Sequence, residues 1–241
     1  MKSLSALGLR MSSEAFHALV SHVTKSKMSF MQGLEHLANM ERRERDERNL
    51  KTRLKAAKLG SVPPLANFDW CHPKAINKDL FDDLMTMDFV RQHQNVLLRG
   101  PSGVGKTTLA RNIGLAAIAQ GYAVRYESLS GALADLLRQE SLPAMQRRLL
   151  LYSRPDILIL DELGYIPCDS QTADMLFNIV AARHEKNSTV ITTNLSFKQW
   201  GTLFQGAACL PALVDRFAQH CHIIDIDAQS WRQRTALSQK Q

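Results

Sequence analysis

The chain has 241 residues, 45% of them hydrophobic, and carries 30 Lys and Arg against 23 Asp and Glu, for a net charge of +7. This length and composition are typical of a globular protein with one large or two small domains. The apolar runs are far shorter than the ~20 residues of a membrane helix, and no signal-like apolar region follows Met1. We therefore expect a cytoplasmic protein that does not insert into a membrane.

The four cysteines do not indicate a zinc site or a disulfide framework. Cys71, Cys168, Cys209 and Cys221 lack the C-x-x-C spacing of such sites. The run 220–222 reads His-Cys-His, but neighbouring residues of a strand point to opposite faces. Ordinary positions beside a strand explain this run better than metal ligands do.

The positive charge is concentrated in the first quarter of the chain. Residues 1–60 contain 12 Lys or Arg and 6 Asp or Glu, for a net charge of +6, whereas residues 61–241 carry only +1. This asymmetry indicates a basic module that meets an anionic partner, beside a nearly neutral module.

Apolar residues at helical spacing predict two or three helices over residues 12–25 and 29–60. The run Val62-Pro63-Pro64 stops the helical pattern, because proline lacks a backbone donor and restricts the residue before it. We place a domain boundary there, between a basic α-helical domain at residues 1–62 and a second, larger domain at residues 63–241.

Residues 41–58 form a charge run of eight basic and four acidic residues. Acid–base pairs spaced i, i+4, at 41/45, 44/48 and 47/51, are compatible with a solvated, salt-bridged helix face. We prefer contact with the phosphates of double-stranded DNA, because within this run no acidic residue follows Glu47 to neutralise the surplus of positive charge. The residues of this predicted basic cluster are Lys51, Arg53, Lys55 and Lys58.

Beyond the prolines, strand-like segments alternate with helical stretches. Strands are predicted at residues 95–99, 122–127, 157–161, 188–193 and 222–227, with helices at 108–120, 171–186 and 211–219. This alternation predicts a parallel sheet with helices on both faces, and a ligand site at the carboxyl ends of the strands.

Residues 100–107 match the phosphate-loop pattern G-x-x-x-x-G-K-[ST] and lie between a predicted strand and a predicted helix. In such loops backbone N–H groups turn toward phosphate, the lysine reaches the β and γ oxygens, and the hydroxyl holds Mg²⁺. The residues predicted to bind ATP are Gly100, Pro101, Ser102, Gly103, Val104, Gly105, Lys106, Thr107 and Thr108.

A carboxylate pair follows the third predicted strand. Asp161 can anchor Mg²⁺ together with Thr107, and Glu162 can polarise the attacking water. Hydrolysis of ATP, with Mg²⁺ as cofactor, therefore fits this pair better than binding alone.

Three further residues have both a functional and an ordinary interpretation. Asn194, after the fourth strand, can contact the γ-phosphate or the attacking water, or it can start a turn or cap the next helix. Arg216 can stabilise the transferring phosphoryl group from a neighbouring subunit, or pair with Asp215 on a helix surface. Arg232 can reach the γ-phosphate or simply lie on the surface.

The segments GPSGVGKTT, RPDILILDELGYIP, STVITTNLSFKQW, LVDRF and QSWR, in this order, closely resemble the IstB-like ATPases of insertion sequences. These ATPases are relatives of the DnaC helicase loaders within the AAA+ superfamily, and the resemblance covers almost the whole chain. It implies a P-loop NTPase fold of the AAA+ (ASCE) type, with a five-stranded parallel sheet in the order 5-1-4-3-2 flanked by helices. This order places Asp161 and Asn194 on adjacent strands.

The resemblance also implies the roles of individual residues. It implies that Lys106 is the Walker A lysine and Glu162 the Walker B glutamate. It also implies that Asn194 is the sensor 1 asparagine, Arg216 the trans-acting arginine finger and Arg232 the sensor 2 arginine. The chain ends nine residues after Arg232, which implies a smaller C-terminal lid than in larger AAA+ proteins.

The function implied by the resemblance is that of an ATP-dependent transposition helper. Subunits with bound ATP would form a head-to-tail homo-oligomer on double-stranded DNA and present target DNA to a partner transposase, and hydrolysis would dismantle the assembly. The alternative is a DnaC-like replicative helicase loader, which shares the catalytic core.

A small-molecule kinase would need an acceptor-site motif that we do not find, and an ATP-gated binding module would lack turnover. No motif encodes target-site preference, subunit number or DNA bending.

Overall fold

The computed structural model describes residues 8–9, 11–164, 169–204, 206–228 and 230–231. The chain forms two compact units, Met1–Lys55 and Ala56–Gln241. The domain boundary predicted between residues 62 and 63 stays a prediction, and Ala57 and Leu59 are buried in the core of the second unit. None of the described helices is long and apolar enough to cross a membrane.

The first unit consists of α1 (Ser13–Lys25) and most of α2 (Phe30–Ala57). The Ser12 side chain accepts a hydrogen bond from the first turn of α1, and Ser29 exchanges two hydrogen bonds with Gln32 at the start of α2. Two of the predicted acid–base pairs form on α2, at 41/45 and 44/48. The pair predicted at 47/51 is not among the ion pairs of the described residues.

The second unit is built on a six-stranded sheet in the order β1-β6-β2-β5-β4-β3. The strands are β1 (Ala75–Ile76), β2 (Asn95–Arg99), β3 (Val124–Ser128), β4 (Ile157–Leu163), β5 (Ser188–Thr193) and β6 (Cys221–Asp227). The prediction of five strands is wrong in one detail, because β1 pairs antiparallel with β6 and adds an edge strand. The other five strands are parallel and keep the predicted order among themselves.

Helices cover both faces of this sheet. They are α3 (Lys78–Leu84), α4 (Asp88–Arg91), α5 (Lys106–Ala119), α6 (Leu129–Leu137), α7 (Leu142–Ser153), α8 (Ser170–Arg183), α9 (Phe197–Leu203) and α10 (Leu210–Ala218). Alternate strand residues enter two different cores: Leu98 and Ile159 pack with α5, whereas Leu158 packs with α6 and α8. Burial on both faces explains the continuous apolar runs at residues 96–98 of β2 and 157–160 of β4.

A buried arginine fastens the amino-terminal edge of the sheet. Arg183, at the end of α8, is 1% exposed, and its guanidinium donates to the Thr189 hydroxyl at 2.9 Å and to the Tyr152 carbonyl oxygen at 2.8 Å. It also donates to the carbonyl oxygens of Ser153, Pro155, Asp156 and Ser188. Burial lowers the pKa of Arg183 to about 9, so the group remains charged at neutral pH.

We expect Arg183→Met to lower the free energy of unfolding by about 3 kcal/mol, because it leaves several buried oxygens without a donor. The control is Arg154→Met at an exposed position nearby, which should change stability by about 0.5 kcal/mol or less. Urea unfolding followed by circular dichroism measures both values. Equal stability of the two variants would contradict the anchoring role of Arg183.

Candidate nucleotide site

A cavity of about 360 Å³ lies at the carboxyl end of β2, within the size range of small-molecule sites. It is formed by the phosphate loop, the start of α5, the ends of β4 and β5, and the segment that precedes β1. From the strand ends come Glu162 and Thr192, and Trp231 closes one side. The predicted phosphate loop therefore faces a cavity that has Glu162, one of the two Walker B residues, on its wall.

The phosphate loop has the backbone shape that its glycines allow. Gly105 has a φ of 98°, and a Cβ built on it would lie 2.5 Å from a ring carbon of Phe68. The adjacent Lys106 is only 7% exposed, and its ammonium donates to the carbonyl oxygens of Gly100 and Pro101 at 2.8 and 2.6 Å. Since α5 begins at Lys106, its positive N-terminal end faces the cavity and favours phosphate there.

The two predicted magnesium ligands lie side by side. The Thr107 hydroxyl donates to Asp161 Oδ1 at 3.1 Å, and Asp161 is 2% exposed. A hydroxyl beside a carboxylate at the edge of a phosphate site is an oxygen donor set that suits Mg²⁺. Thr107 and Asp161 thus fit the ion, which would draw charge from the phosphate oxygens when bound.

Glu162 points away from the core because β4 is irregular at this point. The register between β4 and β5 shifts between Leu160 and Leu163, and Glu162 has a φ of 68°. Its backbone N–H donates to the Thr192 hydroxyl oxygen at 2.9 Å, and its side chain is exposed on the cavity wall. A regular strand would have continued the ladder, whereas this bulge turns the carboxylate toward the ligand space.

Two residues of this site were not predicted from the sequence. Thr192 donates to Asp161 Oδ1, and Tyr126 donates to Asp161 Oδ2 at 2.5 Å. Thr192 could have been found, because it lies near the carboxyl end of the strand that the resemblance places beside the Asp161 strand. Tyr126 lies on a different strand, and no local pattern points to it. Burial and the hydrogen bond to Asp161 raise the pKa of Tyr126 to about 12, so its hydroxyl is protonated at neutral pH.

Asn194 follows β5, next to β4 as the predicted strand order requires. It lines a neighbouring cavity of about 600 Å³ that includes Gly100, Pro101 and Asp225, rather than the cavity beside Glu162. It does not cap α9, because Ser196 has that role. Its predicted action as sensor 1 stays a prediction.

Arg216 lies far from the phosphate loop of its own chain. Its guanidinium stacks over the Phe177 ring, 4.9 Å from the ring centroid, and it lines a cavity of about 180 Å³ with Asn95 and His220. Asn95 begins β2 and His220 immediately precedes β6, so this cavity is at the amino-terminal edge of the sheet. No ion pair between Arg216 and Asp215 is found among the described residues. The predicted sensor 2 residue, Arg232, lies outside the described residues.

The predicted basic cluster is divided between the two units. Lys51, Arg53 and Lys55 lie on α2 in the first unit, and the ion pairs of the described chain involve none of them. Lys58 belongs to the second unit, where its ammonium is 4.0 Å from a carboxylate oxygen of Glu127. The expectation that Lys58 has no acidic partner is therefore wrong, because this partner is distant in sequence.

The family model for IstB-like ATP binding proteins matches residues 2–239. The chain belongs to this family. The ATP-binding protein of insertion sequence IS232 from Bacillus thuringiensis subsp. berliner is 31% identical over 230 residues, covering 95% of this chain and 92% of the relative. The ATP-binding protein of insertion sequence IS21 from Pseudomonas aeruginosa is 31% identical over 226 residues, covering 93% and 85%. The resemblance drawn from the motifs is confirmed.

Two solved structures show the same α/β P-loop fold as this IstB-like protein. DnaI superposes with a TM-score of 0.58 at 18% identity, covering 70% of this chain and 92% of DnaI. The replication initiator DnaA, bound to AMPPCP and single-stranded DNA, gives a TM-score of 0.54 at 16% identity, covering 68% and 52%. The family supports binding of a nucleotide, and the cavity at the phosphate loop is the candidate site for it.

We expect Gly105→Ala to weaken ATP binding at least ~10-fold, because the new methyl group would meet the Phe68 ring and the backbone has a positive φ. The control is Gly201→Ala in α9, where an added Cβ meets no described atom within 4 Å apart from its chain neighbours and the backbone of its own helix. Titration with a fluorescent ATP analogue measures both affinities. An unchanged affinity of the Gly105 variant would show that the loop does not need this backbone shape.

Proposed function

We propose that this protein is an ATP-dependent transposition helper, which assembles on DNA, delivers target DNA to a partner transposase, and disassembles when ATP is hydrolysed. The single observation that carries the assembly step is the position of Arg216, at the opposite edge of the sheet from the phosphate loop. A finger arginine in that position serves a neighbouring chain.

The geometry of the cavity supports hydrolysis in addition to binding. Glu162 is exposed on the cavity wall, while Asp161 beside it is fixed by hydrogen bonds from Thr107 and Thr192. One carboxylate is therefore held for Mg²⁺ and the other is available to orient or deprotonate water. Lys106 supplies positive charge next to the phosphates.

The distance across the sheet supports action of Arg216 between subunits. The strand β2 has five residues, which corresponds to roughly 13 Å from first to last Cα, and it separates the Arg216 cavity from the phosphate loop. A surface that presents an arginine at one edge and a nucleotide at the other suits head-to-tail contacts. Such contacts generate rings or filaments, which would follow duplex DNA.

The charge distribution and the relatives support DNA as the anionic partner. Lys51, Arg53 and Lys55 add unpaired positive charge to α2 within the described chain, and phosphate contacts of this kind are salt-sensitive. The relatives named above are encoded by insertion sequences. This origin favours a transposition helper. Only the shared fold supports a replicative helicase loader.

We expect Glu162→Gln to lower ATP turnover about 100-fold or more and to leave ATP binding nearly unchanged, because the amide cannot accept a proton from water. Glu140→Gln, at an exposed position between α6 and α7, is the matched control and should keep full turnover. Phosphate release under multiple turnover and ATP titration measure the two properties. Full turnover of the Glu162 variant would reject its role as the base.

Mixing two inactive variants tests whether Arg216 acts between chains. Lys106→Ala should fail because it loses the phosphate contact, and Arg216→Ala should fail because it lacks the finger. In an equal mixture with duplex DNA, we expect roughly a quarter of the parent turnover. Half of the chains keep a complete phosphate loop, and half of their neighbours keep the arginine.

The control mixture combines Arg216→Ala with the double variant Lys106→Ala/Arg216→Ala, which supplies no finger and should restore nothing. Light scattering with and without ATP and duplex DNA measures the assembly itself. A parent protein that remains monomeric in all four conditions, or a mixture no more active than its components, would contradict the proposal.

A further inference from the structure

A tyrosine outside the Walker motifs donates a hydrogen bond to the Walker B aspartate. Tyr126 lies on β3, and its hydroxyl is 2.5 Å from Asp161 Oδ2. The other oxygen of the same carboxylate accepts from Thr107 and Thr192. All three hydroxyl groups therefore converge on one side chain, which is one of the two predicted magnesium ligands.

The direction of these hydrogen bonds follows from the chemistry of the donors. A terminal nitrogen of Arg111 is 2.9 Å from the Tyr126 hydroxyl oxygen, and arginine can only donate. The phenol oxygen must accept this bond, so the single phenol proton is left for Asp161. Arg111 thus selects the hydroxyl orientation in which Tyr126 donates to the carboxylate.

Arg111 is itself held in two further ways. Its guanidinium lies 4.6 Å from the centroid of the Tyr126 ring, and its other terminal nitrogen donates to the Ser61 carbonyl oxygen at 3.1 Å. It is part of α5, the helix that begins at the phosphate loop. The chain Ser61–Arg111–Tyr126–Asp161 is therefore anchored at both ends within the second unit.

We propose that Tyr126 is a positioning residue of the magnesium site, which fixes the Asp161 carboxylate in the orientation in which it shares the ion with Thr107, and that Arg111 fixes Tyr126. The inference rests on the proposed function, because it assumes that ATP binds with Mg²⁺. Hydrogen-bonded partners of metal ligands commonly change metal affinity by 10- to 100-fold when they are lost.

A purely structural role would require only the aromatic ring. The Tyr126 ring is partly buried against the core on the α5 side of the sheet, and a phenylalanine ring would fill the same space. The hydroxyl adds no apolar contact, and its bonds go to Asp161 and Arg111. Removing the hydroxyl alone therefore separates positioning from packing.

The decisive variant is Tyr126→Phe, tested with Mn²⁺ as the probe for Mg²⁺. Mn²⁺ bound to the full chain with a non-hydrolysable ATP analogue is measured by electron paramagnetic resonance. We expect about 10-fold weaker Mn²⁺ affinity and unchanged binding of the analogue in EDTA. The turnover of the variant should recover as the Mg²⁺ concentration is raised.

The matched control is Tyr122→Phe. Tyr122 is also partly buried against the same core, but within the described chain its hydroxyl forms no hydrogen bond. Its loss should leave Mn²⁺ affinity unchanged. Arg111→Met provides a second variant that keeps the tyrosine, and it should weaken Mn²⁺ affinity in the same direction.

The outcomes separate this inference from the proposed function. If the parent binds Mn²⁺ with the analogue and Tyr126→Phe binds it equally well, the positioning role is overturned while the proposed function stands. If the parent complex binds no Mn²⁺ and hydrolyses no ATP, both are overturned. If Tyr126→Phe does not fold, equal Mn²⁺ affinity of Arg111→Met and the parent overturns the inference.

Discussion

The Asp161 carboxylate accepts hydrogen bonds from hydroxyl groups on α5, β3 and β5, and the geometry of the candidate site depends on this convergence. A buried carboxylate needs partners for its oxygens, because isolated burial of a charge is costly. Here the partners come from the phosphate-loop helix and from both neighbouring strands. The phosphate loop, the two predicted magnesium ligands and the Glu162 bulge are thereby fixed relative to one another.

The second organising feature is the separation of the nucleotide cavity from Arg216 by the full length of β2. A parallel sheet places the carboxyl ends of all its strands at the same edge, so the phosphate loop after β2 and Glu162 at the end of β4 lie together there. Arg216 lies at the other edge, beside the starts of β2 and β6. The stacking of its guanidinium on Phe177 keeps this charge in a defined place at that edge.

The sequence predicted the features that depend on local order, and missed those that depend on register. The phosphate loop, the carboxylates after β4 and the parallel strands follow from short motifs and apolar runs. The edge strand β1 has two residues, too few for any periodicity. The Tyr126–Asp161 hydrogen bond and the Lys58–Glu127 ion pair depend on which residues of distant segments lie side by side. The pattern of residues along one sequence does not contain this information. The residues alone left a functional and an ordinary interpretation open for Asn194 and Arg216, and only the family resemblance favoured the functional one.

The residues that precede β1 belong structurally to the nucleotide site. Arg111 and Asn112 of α5 bind the carbonyl oxygens of Ser61 and Pro63, and Pro63 lines the cavity. Ala57 and Leu59 are already buried in the same core. A chimera that exchanges the basic helices between members of this family should therefore be joined ahead of Ala56. A junction at the prolines would also exchange the residues that contact the nucleotide cavity. A change in DNA binding could then not be separated from a change in nucleotide binding.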